Sequence, residues 1–280
     1  MPTFPAPAPL PVVVDLPVGC SLHVVASDRD DVVVTVLPAD AAKAGDVRTA
    51  EEVRVERDDR AVTITGPRAW KQYVPFAAGS IAVTVELPEG SDLSGRTGTL
   101  YAEGRLGDVD AQVTAGDARL DEVGRLDLKV SAGSAVVGRS TGATSVKASA
   151  GSVRLTELTG DGTIRASNGP TAVGSVTGSL QVTGAHGEIS VGRVRGTLTA
   201  TAASAGIRVE RVEHGAVTLT TSYGAIEVGV PEGTAAWLDV SSEHGTARNQ
   251  LLPSDGPADD QPTAEIHAST GYGDVIVRRP

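Results

Sequence analysis

Hydrophobic and polar residues alternate through most of the chain between Gly107 and Val230, and the alternation returns after about eighteen residues. In one copy of this repeat, the apolar Leu180 and Val182 flank the polar Gln181. Alternation with a period of two is typical of β-strands that bury one face. Glycine, serine and threonine separate the alternating runs, and these residues favour tight corners. Each copy therefore predicts short β-strands joined by turns.

Successive copies of the repeat place mostly apolar residues in the same columns. One column follows the second glycine of each copy and holds Ala118, Ala135, Val153, Thr171, Ile189, Ile207 and Ile226. Such recurrence indicates a solenoid, in which equivalent residues stack on parallel strands about 4.8 Å apart and share one core. We therefore predict an all-β fold, a parallel β-solenoid with about 18 residues per copy, right-handed as parallel crossovers generally are. A β-sandwich of regular hairpins is the alternative.

The first part of the chain does not follow this period. Residues 1–94 are predicted to form an N-terminal β cap, because the open edge of a solenoid would pair with other chains. Residues 95–280 are predicted to form the solenoid repeat region, with a loop excursion at 251–263. Within the cap, the charged residues 28–31 predict one hairpin turn and residues 58–59 predict a second.

Composition narrows the class of protein. Only 3% of the 280 residues are aromatic, which suits a narrow core of alanine and valine, and the segment 70–73 is expected to anchor a loop through Trp70 and Tyr73. The formal net charge is −11 and no basic stripe is present, so no nucleic-acid partner is expected. Cys20 is the one cysteine of the chain, which excludes an intrachain disulfide and predicts a buried structural thiol.

The first ten residues do not have the pattern of a secretory signal. Residues 1–10 hold several prolines and no basic residue before an apolar core, unlike a secretory signal. No apolar run reaches the length of a membrane span. We therefore expect a cytoplasmic protein without a membrane span.

Three short motifs recur in equivalent places of the repeat. They are Ser-Ala-Gly-Ser-Val-Arg-Leu at 149–155, Ala-His-Gly-Glu-Ile-Ser-Val at 185–191 and Ser-Tyr-Gly-Ala-Ile-Glu-Val at 222–228. Over nearly the whole chain the sequence resembles the DUF4097 β-strand-repeat proteins, which also carry an adhesin label, and residues 269–279 resemble the ending of actinobacterial members. The resemblance implies a β-solenoid and supplies no catalytic residues.

The position before the second glycine of each copy is the strongest candidate for a binding site. In the C-terminal half it holds polar or aromatic side chains, and stacked copies would align them along one corner. These are Asn168, His186, Tyr223, His244 and Tyr272. Residues before a left-handed glycine are often simple turn residues. The functional interpretation is a ridge of aromatic and imidazole side chains that contacts a polymer or a protein partner.

An enzyme would need clustered ionisable groups. Asp110 and Asp127 occupy equivalent outward positions and are expected roughly 5 Å apart, which suits the carboxylate pair of a retaining glycosidase. No third group accompanies them, no two histidines have the spacing of zinc enzymes, and no glycine-rich phosphate-binding motif opens a helix. We therefore predict no catalytic residues, no metal site and no cofactor.

These features together predict a non-catalytic β-solenoid scaffold, adhesin-like, that acts through surface interaction or through self-association of the solenoid ends. Its partner is expected to be a protein or a polysaccharide. The alternative is a carbohydrate-active β-helix enzyme, which a groove lined with ionisable groups from several copies would favour.

Overall fold

The computed structural model describes residues 2–6, 8–67, 79–252, 256 and 261–280. The chain divides into two compact units, Met1–Gly142 and Ala143–Pro280. Apart from one helix, every regular element in the described ranges is a β-strand, which confirms the all-β prediction. The predicted loop anchor at 70–73 and most of the predicted excursion at 251–263 lie outside the described residues.

The first unit contains thirteen strands and the helix within its described residues. Their bounds are β1 (Thr3–Pro5), β2 (Val12–Asp15), β3 (Cys20–Ser27), β4 (Asp31–Pro38), α1 (Ala44–Glu52), β5 (Arg54–Arg57), β6 (Val62–Thr65), β7 (Ile81–Pro88), β8 (Leu93–Thr97), β9 (Thr99–Arg105), β10 (Val109–Val113), β11 (Ala118–Val123), β12 (Leu126–Ala132) and β13 (Ala135–Ser140).

Parallel pairing dominates the first unit. Strand β10 lies between β8 and β12, and β11 lies between β9 and β13, all in parallel. Strands β2 and β3 pair in parallel with β8 and β9, so parallel stacking extends into residues 1–94, although β1 pairs antiparallel with β4. Cys20 is 1% exposed in β3, and burial raises the pKa of its thiol to about 12. A thiol with so high a pKa stays protonated and unreactive at neutral pH.

One of the two predicted hairpins is wrong. Strands β3 and β4 flank residues 28–31 but do not pair with each other, because β7 lies between them, parallel to β3 and antiparallel to β4. The turn signal is local, whereas the fully buried Val83 and Val85 of β7 provide an apolar partner for both strands. The second hairpin is confirmed: β5 and β6 are antiparallel, and the Asp58 carboxylate accepts the backbone N–H of Arg60 at 2.7 Å.

The second unit contains ten strands in its described part. Their bounds are β14 (Thr144–Ala150), β15 (Val153–Asn168), β16 (Thr171–His186), β17 (Ile189–Ala202), β18 (Ile207–Tyr223), β19 (Ile226–Gly229), β20 (Ala235–His244), β21 (Ala247–Asn249), β22 (Thr263–Tyr272) and β23 (Val275–Arg278).

The predicted columns are in register in the second unit. Val153 pairs with Thr171, Thr171 with Ile189, and Ile189 with Ile207, all between parallel strands. Side chains of such columns are almost fully buried; Ile189, for example, is 0% exposed. Parallel stacking of equivalent residues is therefore confirmed. A sandwich of hairpins would need antiparallel neighbours, and the described strand pairs of the repeat are parallel.

The glycine columns are required by the close approach of neighbouring copies. Gly187 has a φ of 140°, a conformation that side-chain-bearing residues rarely adopt. A Cβ atom at this position would lie 2.2 Å from the carbonyl oxygen of Gly169, its equivalent in the preceding copy. Glycine is therefore needed here for two independent reasons.

The last copies do not stack in chain order. Strand β22 lies between β18 and β20, and β23 lies between β19 and β21, all in parallel. In the described residues β20 pairs with β22 alone, so β20 forms the edge of the sheet although β22 comes later in the sequence.

The single described helix is short, and no described helix is long and apolar enough to cross a membrane.

Candidate functional site

Three of the predicted ridge residues form one aromatic stack at the C-terminal ends of β18, β22 and β20. The rings of Tyr223 and Tyr272 lie 4.9 Å apart at an interplanar angle of 7°. The rings of His244 and Tyr272 lie 4.4 Å apart at 24°. In-register parallel strands place equivalent side chains about 4.8 Å apart, close to the stacking distance of aromatic rings. Tyr272 therefore occupies the middle of the stack because β22 occupies the middle of the three strands.

Hydroxyl groups two residues before each ring secure the corner that carries the stack. Thr270 donates a hydrogen bond from Oγ1 to the carbonyl of Gly224 at 2.9 Å. Ser242 donates from Oγ to the carbonyl of Gly273 at 2.8 Å. Both glycines have positive φ and immediately follow a stacked tyrosine. The sequence pattern thus holds the backbone rigidly while the rings project outward.

The remaining two ridge residues form a separate pair. Asn168 and His186 are in register on β15 and β16. The amide of Asn168 donates to the carbonyl of Ser149 at 3.3 Å, as expected of a turn residue. The copy that holds Ser204 lies between this pair and the aromatic stack, since the N–H of Ser204 bonds to Ala185 and that of Tyr223 bonds to Ala203. The structure therefore brings Tyr223, Tyr272 and His244 together but not all five residues.

The two tyrosines of the stack are unusually exposed for aromatic side chains. Tyr223 is 57% and Tyr272 is 49% exposed, and both contact each other rather than the core. Their exposure is the feature by which the stack differs from ordinary packing.

The family of the chain follows from its sequence match. The family model described as Toastrack DUF4097 matches residues 20–278. The chain belongs to the DUF4097 family. The resemblance inferred from the three short motifs is therefore confirmed.

Two solved structures similar to this DUF4097 chain have names that include the words putative adhesin or putative cell adhesion protein. One, called a putative adhesin from Parabacteroides distasonis ATCC 8503, is 15% identical, with 98% of this chain and 95% of that chain covered and a TM-score of 0.44. A putative cell adhesion protein from Clostridium sporogenes ATCC 15579 is 8% identical, with 100% and 98% covered and a TM-score of 0.23. No curated protein matches the sequence.

Sequence reasoning missed a second cluster on this DUF4097 chain, at outward positions of β20 and β22. The Trp237 ring meets the His267 ring edge-on, with centroids 5.0 Å apart. His267 contacts Glu265 through Nε2 at 3.0 Å and Asp239 through Nδ1 at 3.4 Å. The hydrogen bond with Glu265, aided by Asp239, raises the pKa of the His267 imidazole above its usual 6.5. A visible signal was that small residues fill the equivalent positions of the two preceding copies: Ala216 and Thr197 in the column of Trp237, and Thr218 and Thr199 in the column of His267.

The carboxylate pair considered for catalysis is adjacent in this DUF4097 chain. Asp110 of β10 and Asp127 of β12 are in register on neighbouring strands. Asp127 also forms a 3.8 Å ion pair with Lys129, while its Oδ1 is buried without a hydrogen-bond partner. Among the described residues, no group of three or more histidine, cysteine, aspartate or glutamate side chains could hold a metal ion.

Proposed function

We propose that this DUF4097 chain is a non-catalytic scaffold that binds a protein or a polysaccharide through the aromatic stack of Tyr223, Tyr272 and His244. The observation that carries this proposal is the exposure of two stacked tyrosines on a rigid corner. Tyrosine is enriched at the energetic centre of binding surfaces, because its large ring loses little conformational entropy on binding and its hydroxyl can form a hydrogen bond. Stacking fixes the rings before the partner arrives, which reduces the entropic cost of association.

The scaffold in this proposal is a right-handed β-solenoid with about eighteen residues per copy, preceded by the cap at residues 1–94. Asn168 and His186 then form a secondary contact on the same corner. Two surface carboxylates in register, one of them in an ion pair with Lys129, do not by themselves favour catalysis.

The test is affinity capture of a partner from an extract of the native cell, followed by binding of the purified partner. The Tyr223→Ala/His244→Ala double variant is expected to weaken binding at least tenfold, because it removes both outer rings of the stack. Tyr101→Ala is the matched control, since Tyr101 is a half-buried outward tyrosine in the first unit. Equal binding by the double variant and the wild type, with both folded, would remove the stack as the site.

Self-association through the edge strand is the second candidate function. In the described residues β20 pairs on one side only, and unpaired strand edges readily accept another strand. Analytical ultracentrifugation over a concentration series measures this directly. The N–H of Ala235 bonds to Pro262, so the N–H of the next residue, Ala236, points to the open edge. We expect reversible association that Ala236→Pro, which removes this edge donor, reduces. A monomer at every concentration would exclude it.

A further inference from the structure

A cavity of about 900 Å³ opens beside Trp237, at the other end of β20 from the aromatic stack. Strands β18, β20 and β22 line it. The small lining residues are Gly215, Ala216, Ala235, Ala236 and Ala264 of these strands together with Gly256, which precedes β22, and the larger or polar ones are His214, Trp237, Thr263 and Glu265. Ligand pockets commonly have this size and combine apolar surface with a few convergent polar groups.

Trp237 forms the apolar wall of this cavity. Its side chain is 57% exposed, although tryptophan is the largest apolar residue and is usually well buried. Ala235 and Ala216, with their single methyl groups, leave the space beside the indole ring unfilled. An indole face exposed beside a cavity can contact a flat apolar surface of a ligand.

The polar wall is held in place by a network rather than left mobile. His267 contacts Glu265 on its own strand and Asp239 on β20, and its ring lies 5.0 Å from the Trp237 ring at an interplanar angle of 60°. A carboxylate has two oxygens and can accept several hydrogen bonds, so an imidazole contact leaves capacity for a ligand hydroxyl. The contacts with His267 occupy part of the acceptor capacity of the Glu265 and Asp239 carboxylates, and the remaining acceptor positions suit hydroxyl donors.

We propose that the cavity bounded by Trp237 and Glu265 binds a neutral saccharide, with one sugar ring against the indole and its hydroxyls bonded to Glu265. The C–H face of a pyranose is apolar and carries slight positive charge, which complements the negative face of an aromatic ring. The oriented carboxylate accepts the hydroxyl protons and sets the orientation of the ring. This site is separate from the aromatic stack, and either one can exist without the other.

Calorimetric titration of the full chain with defined sugars tests the proposal. The probes are hexaoses of β-1,4-linked glucose, β-1,4-linked N-acetylglucosamine, β-1,4-linked mannose and α-1,4-linked glucose, with hexalysine as a cationic probe. We expect saturable binding of at least one hexaose and none of hexalysine. Trp237→Ala is expected to weaken that binding at least tenfold and Trp237→Phe less, because phenylalanine keeps a smaller ring face.

Two further variants separate this site from others. Glu265→Gln keeps the shape but weakens acceptance of hydroxyl hydrogen bonds, and about a tenfold loss is expected. Tyr101→Ala, in the first unit, is expected to bind the hexaose like the wild type. Failure of every hexaose, binding of hexalysine alone, or wild-type binding by folded Trp237→Ala and Glu265→Gln would overturn the proposal. A partner that still requires Tyr223 and His244 would leave the proposed function standing.

Discussion

Copies in the middle of the repeat and the copy at its edge share one sequence frame but differ in burial. Strands β16 and β17 pair with parallel neighbours on both sides, and their inward residues, such as Val191 and Leu198, are 0% exposed. Strand β20 has one described neighbour, and its inward Leu238 and Val240 remain half-buried. The difference shows that burial in this protein comes from having two neighbours, since a copy alone cannot cover its apolar face.

Both candidate sites lie at the edge of the sheet, where inward side chains are less buried than in the middle copies. The aromatic stack and the Trp237 cavity involve β18, β22 and β20, the last three strands at the edge of this face. Inner copies carry threonine and serine at outward positions, for example Thr199 and Thr201, and these offer no large apolar surface. The inner copies therefore supply rigidity, and the edge copies supply side chains that remain available for binding.

Glycine substitutions are expected to give the largest difference in the free energy of unfolding between the middle copies and the edge copy. Gly187→Ala places a methyl group against the backbone of Gly169 and strains a φ of 140°, so we expect a loss of about 2–5 kcal/mol in the free energy of unfolding. Gly233→Ala, in the turn before β20, has a φ of 84° but nothing within 4 Å, so only about 1 kcal/mol is expected. Urea unfolding measures both, and equal losses would show that neighbouring copies do not approach as described.

Replacing equivalent leucines by alanine, one in a middle copy and one on β20, should give an intermediate difference in the free energy of unfolding. Leu198→Ala creates a cavity in a fully buried column, for which about 2–5 kcal/mol is expected. Leu238→Ala is expected to cost less than about 2 kcal/mol, because this side chain is already half-exposed on β20. The comparison uses the same urea titration. Equal losses would indicate that another part of the protein covers the β20 face in solution.

The smallest effect on the stability of the fold is expected from the titration of His267, which lies on β22 beside the edge strand. Its raised folded-state pKa means that the contacts with Glu265 and Asp239 stabilise the fold fully below about pH 6.5. That contribution is lost as the pH rises through the raised pKa. Asp239→Asn removes one carboxylate, so the pKa measured by NMR should fall toward 6.5. Glu243→Gln, elsewhere on β20, is the control; an unchanged His267 pKa in Asp239→Asn would contradict the described contact.

Much of the fold could be predicted because it depends on local periodicity. The alternation around Leu180 and Val182, repeated in each copy, predicted parallel strands whose columns the structure places in register. The hairpin predicted at residues 28–31 was wrong because turn residues indicate only that the chain changes direction, not which strands pair. Which strand pairs beside β3 depends on distant residues, and β7 takes that place through its buried valines.

The candidate site was predicted in part for the same reason. The position before the second glycine identified Tyr223, His244 and Tyr272 as members of one column, but it also included Asn168 and His186, which lie apart from the stack. The cluster of Trp237 and His267 was missed because its two rings lie in different columns, with Trp237 opposite Glu265 and His267 opposite Asp239.

By itself, the sequence determined which residues share a column, which positions require glycine, and which family the chain belongs to. These properties follow from a short period that every copy repeats. Only the tertiary structure decided the order of the last strands, with β22 between β18 and β20. The physical reason is burial: Ala264, Ile266 and Ala268 of β22 are almost fully buried between two neighbours, whereas β20 carries Trp237 and charged side chains at the edge. That exchange of order places Tyr272 between Tyr223 and His244.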